Sequence, residues 1–324
     1  MFTRFKDYCE NVIPRLDDSF KSEVSSLLKD MALHHSASMS ASLQGGKMIR
    51  GCLLCLISES LGGSVRSAIP RAVAVELIHG GSLIHDDFVD QDDMRRNKPA
   101  IWTLEGARRA VLFGDIIFAS TIKNMNELSR DDGLVVSHAI AQIAKGAFQE
   151  PLEPLDLAIA IQSDKVNARV YEKIIHLKTG ILFGAACQMG AIAAGGDIEV
   201  RERCYRYGSL IGEAYQIADD MKEVRHHISS RAIYSKEMAF LTPAFLYFVK
   251  SARPYLLTAL KSEYSTIHGP LLTCFQDALP LMGKEIERRL QSAVAETEML
   301  FPQNEFGKLA HKVPWEIIDM FNDI

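Results

Sequence analysis

Glu76-Leu77-Ile78-His79-Gly80-Gly81-Ser82-Leu83-Ile84-His85-Asp86-Asp87-Phe88-Val89-Asp90 reads as an apolar helix that runs into three carboxylates. Residues 72–84 repeat apolar side chains at three- and four-residue spacing, the period of a helix with a buried stripe. If the helix continues, Asp86 and Asp90 lie one turn apart on one face with Asp87 beside them. The same spacing returns in Asp219-Asp220-Met221-Lys222-Glu223. Like charges so placed repel, so each cluster calls for a cation. Hard oxygen ligands in this number suit Mg²⁺, which keeps several waters and binds a few carboxylates together with substrate phosphates.

Helical period dominates the rest of the chain as well, at 107–125, 135–148, 166–175, 181–194, 205–221 and 244–250, and sustained two-residue alternation is scarce. An all-α fold is expected. Breaks fall at Gly62-Gly63, Arg96-Asn97-Lys98-Pro99, Gly195-Gly196-Asp197 and His268-Gly269-Pro270, where turn-forming residues collect. No Pro/Ser-rich linker, repeat or low-complexity tract divides the 324 residues, so a single domain over 1–324 is expected. A hydrophobic content of 48% is ample for its core.

A net charge of −5 and a pI near 6.1 argue against a broad basic surface for nucleic acid and leave room for a local cationic pocket. The six cysteines are scattered in apolar surroundings, which points to buried thiols in a reducing compartment. Cys52-Leu53-Leu54-Cys55 lacks the second pair that a zinc site needs. Met1–Glu10 has no apolar core of signal-peptide type, so the cytoplasm is expected. Residues 180–196 carry no charge, yet Gln188 and many Gly and Ala make them a closely packed buried helix, and no membrane span is expected.

Cations suited to phosphate flank the acidic clusters: Lys47 and Arg50 follow Gly45-Gly46, and Arg95-Arg96 follow Asp90. In order, Gly45-Gly46-Lys47-Met48-Ile49-Arg50, Glu76-x-x-His79, Ser82-Leu83-Ile84-His85-Asp86-Asp87-x-x-Asp90, Arg95-Arg96, Gly114-Asp115, Lys178-Thr179-Gly180 and Tyr215-Gln216-Ile217-Ala218-Asp219-Asp220 resemble the motifs of the trans-isoprenyl diphosphate synthases. The resemblance covers roughly positions 40–245. It implies an all-helical bundle of the isoprenoid synthase type, usually a homodimer, with a deep apolar cavity between the helices that bear the two clusters.

The same resemblance implies roles. Asp86, Asp87 and Asp90 would hold two Mg²⁺ ions on an allylic diphosphate, and Asp219, Asp220 and Glu223 a third. Lys47, Arg50, His79 and Arg96 would bind the diphosphate of isopentenyl diphosphate. Arg95 and Lys178 would touch the allylic diphosphate, and Thr179 and Gln216 would lie along the reacting carbons. The implied reaction is Mg-dependent ionisation of the allylic partner and a five-carbon extension. No protein general base is required, in keeping with the absence of a persuasive Ser/His/Asp or Cys/His set.

Several residues have plainer readings. His79 alone could be a core histidine, but it precedes Asp86 by two turns on the same face. His85 is expected to be a structural hydrogen-bonding partner, Asp92 and Asp93 to solvate a helix end, and His34-His35 and His226-His227 to lie in solvated loops, since adjacent residues share no helical face. An all-α scaffold whose acids merely solvate helix ends would respond to neither Mg²⁺ nor diphosphate.

Departures from the family pattern gather on the allylic side. Glu223 stands where an Asp is usual, Asn97 and Ala100 replace a Gly and a Thr, and Ala239 occupies a lysine position for which Lys236 or Lys222 could substitute. These changes admit two alternatives to ordinary elongation: a divergent prenyltransferase or terpene-forming enzyme, and a weakly active subunit of a hetero-oligomer. In the family it resembles, a bulky residue four or five positions before the first Asp caps the growing chain; Gly81 and Ser82 stand there, so the resemblance implies a product of C20 or longer unless Phe118 or a neighbour on its helix forms a higher floor.

Overall fold

A computed structural model describes residues 2–30, 36–149, 154–163, 165 and 169–322. Its helices are α1 (Phe5–Asp30), α2 (Ser36–Leu43), α3 (Ile49–Ser60), α4 (Val65–Val89), α5 (Ile101–Glu105), α6 (Ala107–Leu128), α7 (Arg130–Gln149), α8 (Pro154–Gln162), α9 (Arg169–Ile175), α10 (Ile181–Ala193), α11 (Ile198–Ser230), α12 (Ser235–Phe248), α13 (Arg253–Leu260), α14 (Gly269–Thr297) and α15 (Glu305–Asn322). Two short antiparallel pairs accompany them: β1 (Met94–Arg95) with β2 (Lys98–Pro99), and β3 (Ala232–Tyr234) with β4 (Tyr264–Thr266). The all-α expectation holds.

The chain forms two compact units, one from Met1–Ile143, Leu182–Ser209 and Ala293–Ile324, the other from Ala144–Ile181 and Leu210–Ser292. In the first, α4 packs against α1, α3 and α6, and α15 lies on α1 and α3. Val75, Leu77 and Ile78 of α4 are buried, as are Leu53 and Leu54 of α3 and Ile117 of α6. A helix apolar on most faces has to be enclosed by others. Ser64 caps α4 at its start, its hydroxyl accepting from the Ser67 N–H at 3.2 Å. Gly81 lets α6 approach: a Cβ there would lie 2.9 Å from the Phe118 ring. The uncharged α10 is also closely packed through its glycines, a Cβ at Gly190 meeting the Leu54 carbonyl at 2.6 Å. Among the described residues no helix is long and apolar enough to cross a membrane.

In the second unit α12 packs on α8, α9 and α13. Residues 244–250 do not start a helix of their own, because α12 begins at Ser235 and passes through Pro243 before ending at Phe248. Glu237 caps its start, accepting the Tyr234 N–H at 2.8 Å, a signal hidden by the lack of a Ser or Thr there. The expectation for His226-His227 is corrected too. Both lie in α11, and His227 is buried, its Nδ1 bonded to the Ala232 carbonyl at 2.8 Å. His34-His35 lie outside the described residues.

Candidate active site

In the first unit the glycine loop, the β1–β2 turn and the end of α4 enclose a cavity of about 160 Å³. Arg96 and Asn97 form the two-residue turn with φ of 51° and 58°. Both central residues in the left-handed region mark a type I′ hairpin, which Asn tolerates well, so Asn97 does the work of the expected Gly. Arg96 is thereby held in a conformation uncommon for its type. Its guanidinium folds over the glycine loop: Nη1 donates to the Gln44 carbonyl at 3.3 Å, and a Cβ at Gly46 would lie 3.2 Å from Nη2.

His79, Arg95, Arg96 and Lys98 all line this cavity. The His79 imidazole is pushed well below its ordinary range, first by burial and then by the charges of Arg50, Arg96 and Arg95. Burial and the repulsion of Arg95 also lower Arg96. Burial and the arginine charges both oppose protonation of His79, the mark of a locally positive field. Buried Glu76 supplies part of the counter-charge; burial raises its carboxyl, and it accepts the Gly51 N–H at 2.7 Å. Lys47 and Arg50 do not line this cavity, although the Arg50 charge reaches His79. Lys47 Nζ donates to the Met320 carbonyl at 3.1 Å, and Arg50 stacks on Phe183 at 4.7 Å.

Asp86 and Asp90 are half-buried at the end of α4, where the Asp90 N–H caps the Asp86 carbonyl at 2.8 Å. Asp87 is buried, and its Oδ1 accepts from Arg95 Nε at 2.7 Å and from Arg95 Nη2. Burial raises the Asp87 carboxyl, opposed by Arg95. Two residues expected to meet a metal and a diphosphate therefore hold one another. Asp92 is exposed at the helix end. His85 bonds the Val111 carbonyl at 2.9 Å and packs edge-on against Phe118. Phe118 in turn fills the space over Gly81, which the sequence left open.

In the second unit His176–Gly180 is a π-helical turn, so Lys178 and Thr179 ride on a local widening between α9 and α10. Thr179 Oγ1 donates to Gln216 Oε1 at 2.6 Å, and Gln216 Nε2 donates to Asp220 Oδ1 at 3.0 Å. Tyr171, one helical face away from the acids' own helix, donates its hydroxyl to Asp220 Oδ2 at 2.6 Å. Burial pushes the Asp220 carboxyl up to about 6, against the pull of these donors and of Lys178. Asp219 is raised by burial and by Glu223, and lowered by Lys178 and Lys222. Glu223 thus acts on the face of Asp219, as the four-residue spacing requires. Lys178 is exposed and lies 6.0 Å from the Phe240 ring centroid; Lys236 is exposed in the first turn of α12. Ala239, at the lysine position, is buried.

Sequence reasoning missed Tyr171, Lys98 and the widened turn. Tyr171 does carry a signal, since 171, 175 and 178 fall on one helical face. Among the described residues no three His, Cys, Asp or Glu side chains form a ready-made metal cage. The donor set still fits Mg²⁺, whose sites use one or two carboxylates completed by waters and substrate phosphates.

The fold is similar to that of solved structures named as prenyl diphosphate synthases. A geranylgeranyl pyrophosphate synthase superposes with a TM-score of 0.74 at 22% identity, covering 94% of this chain and 98% of that one. A polyprenyl synthase from Caulobacter crescentus, solved with calcium and isoprenyl diphosphate, gives 0.67 at 23% identity and covers 95% and 97%. Residues 33–231 match the family described as Polyprenyl synthetase, and the chain belongs to that family. Among curated relatives, the geranylgeranyl diphosphate synthase of Methanosarcina mazei is 34% identical over 186 residues, 56% of this chain and 55% of that protein. The short chain isoprenyl diphosphate synthase of Methanothermobacter thermautotrophicus is 34% identical over 213 residues, 64% and 63%. The matched part therefore spans between about half and two thirds of those relatives' length.

Proposed function

We propose that the protein is a trans-prenyltransferase that joins isopentenyl diphosphate to an allylic diphosphate, with Mg²⁺ as its metal. One observation carries most weight: His79, Arg95, Arg96 and Lys98 converge on one cavity, a set of groups suited to an anion. Arg96 and His79, with Lys47 and Arg50 turning inward, bind the diphosphate of isopentenyl diphosphate. Arg95 exchanges Asp87 for the allylic diphosphate, a guanidinium grip on two oxygens that Lys178 supplements with a mobile charge. Mg²⁺, when held by Asp86, Asp87 and Asp90 and by Asp219, Asp220 and Glu223, neutralises charge on the departing diphosphate.

The C–O bond breaks with its electron pair on that diphosphate, leaving an allylic cation. Thr179 and Gln216 present fixed dipoles along it, which stabilise charge without reorganising. The double bond of isopentenyl diphosphate forms the new C–C bond, and the proton lost next goes to the released diphosphate. We place the whole chain in one catalytic domain that works as a homodimer in the cytoplasm. Sedimentation at micromolar concentration tests the dimer. Incubation with Mg²⁺, isopentenyl diphosphate and C5, C10, C15 or C20 allylic partners tests the activity. Elongated diphosphates are expected. A cyclic or branched product would show the divergent enzyme instead, and inactivity with every partner would overturn the reading.

A product of C20 or longer requires Phe118, which fills the space over Gly81, to turn aside. A separate groove of about 600 Å³ lies one turn further along α4 and α6, lined by Val73, Ala74, Leu77, Thr121 and Met125 and also by Glu23, Asn124 and Glu127, within the ~300–1,000 Å³ of small-molecule pockets. Leu77 lies ~13 Å along α4 from Asp86. Some relatives are named for geranylgeranyl and geranylfarnesyl diphosphate, in line with such a length, and others for the shorter farnesyl diphosphate. Phe118→Ala is expected to lengthen the product by at least one five-carbon unit on chromatography of the dephosphorylated chains. An unchanged length would remove Phe118 as the floor.

A further inference from the structure

The second unit contains a buried ionic group that the reaction above does not use. Glu213 and Arg289 are 8% and 6% exposed. Arg289 Nη1 bonds Glu213 Oε2, and Arg289 Nε lies 2.9 Å from Glu285. The other Glu213 oxygen, Oε1, lies 2.8 Å from His176 Nδ1. A carboxylate only accepts, so Nδ1 carries the proton and donates. His176 opens the π turn, and Thr179 three residues later bonds Gln216, three residues after Glu213. The widened turn is thus tied to α11 at two points of equal offset. On another side Gly146 of α7 admits it closely, a Cβ there lying 2.7 Å from that of Leu177.

A π turn is rare and poorly favoured by itself, so it needs such ties to persist. A buried ion pair is weak support for stability, because well-packed apolar residues often replace one without loss. The group therefore calls for a reason other than holding the fold. We propose that Glu213, anchored by Arg289 and bonded to His176, is a positioning residue that fixes the turn bearing Lys178 and Thr179. Resting on the activity proposed above, this sets how the allylic cation divides. Capture by isopentenyl diphosphate forms a C–C bond and releases a proton to diphosphate. Capture by water forms a C–O bond, releases a proton and yields the prenyl alcohol.

The test compares the full-length protein with Glu213→Leu/Arg289→Met, which leaves no unpaired buried charge, and with Glu213→Gln, which keeps the volume. Amide hydrogen exchange at 176–181 is read first, without substrate. The proposal expects exchange about tenfold faster there with the melting temperature kept within a few degrees. In the assay with Mg²⁺ and both diphosphates it expects the alcohol-to-elongated ratio to rise about fivefold, with the KM for isopentenyl diphosphate unchanged. Unchanged exchange in both variants would overturn the proposal, as would faster exchange with an unmoved ratio, which would make the group merely structural. Failure of the wild-type protein to elongate any partner would instead sink the activity reading, and hydrogen exchange would still decide whether Glu213 holds the turn.

Discussion

The clusters at Asp86-Asp87-Asp90 and Asp219-Asp220-Glu223 share one spacing and tolerate their charge by different means. At the end of α4, Asp87 is paired with Arg95, and Arg96 adds to the field. In the middle of α11, Asp220 has neutral donors, Tyr171 and Gln216, and its carboxyl is pushed up to about 6. Burial favours a proton at both Asp87 and Asp220, but a charged arginine opposes it in the first cluster and neutral hydrogen-bond donors in the second. Equal spacing in sequence therefore hides unequal chemistry, and a metal bound as proposed would have to displace an arginine in one place and hydrogen-bond donors or a proton in the other.

Asp87→Ala gives the largest expected effect, a fall in turnover of about a thousandfold with the fold intact. Arg95 is one-third exposed and has Asp92 at 3.9 Å, so it finds another partner and the melting temperature moves by only a few degrees. Turnover within tenfold of the parent would mean that the pairing is structural, and the contrast between the clusters would collapse. Arg95→Met comes next. It frees Asp87 but removes the guanidinium, and the KM for the allylic diphosphate is expected to rise about 10- to 100-fold in steady-state assays. A lower KM would show that the ion pair obstructs binding.

Much of this was legible beforehand. Periodicity placed α4 and α11, and the four-residue spacing put Glu223 on the face of Asp219, as the repulsion between them bears out. The motifs led to Thr179 and Gln216, which do meet. What escaped was set by distant contacts. The π turn depends on α11 and on Gly146, neither of which leaves a periodic trace near Lys178. The Arg95–Asp87 pair depends on a hairpin whose strands are two residues long, too short for alternation to show. Phe118 over Gly81 is a meeting of two helices that neither segment announces.

The second cluster gives a smaller, pH-dependent effect. Folded Asp220 titrates near 6 against an ordinary 3.8. Between those values the folded state binds more protons than the unfolded one, so this group makes stability fall as pH rises through that window. Asp220→Asn should therefore melt a few degrees higher than the parent at pH 7 in EDTA, and the gap should close as pH falls toward 4. Asp87→Asn should show a smaller gain of the same sign, because burial raises that carboxyl too but Arg95 opposes it. Equal behaviour of the two variants in a pH series of melts would erase the distinction.

Glu223→Asp carries the smallest expected change. Glu223 is exposed and acts on Asp219 one turn away, so shortening it by one methylene draws its charge back without removing it. If the glutamate is a slightly overlong ligand, apparent Mg²⁺ affinity should improve about twofold with kcat little altered. The measurement is a Mg²⁺ titration of the elongation rate at fixed substrate. An unmoved Mg²⁺ midpoint would confine the second cluster to Asp219 and Asp220. The two clusters would then differ in ligand number as well as in how they bear charge, with three carboxylates beside arginine on α4 and two beside tyrosine and glutamine on α11.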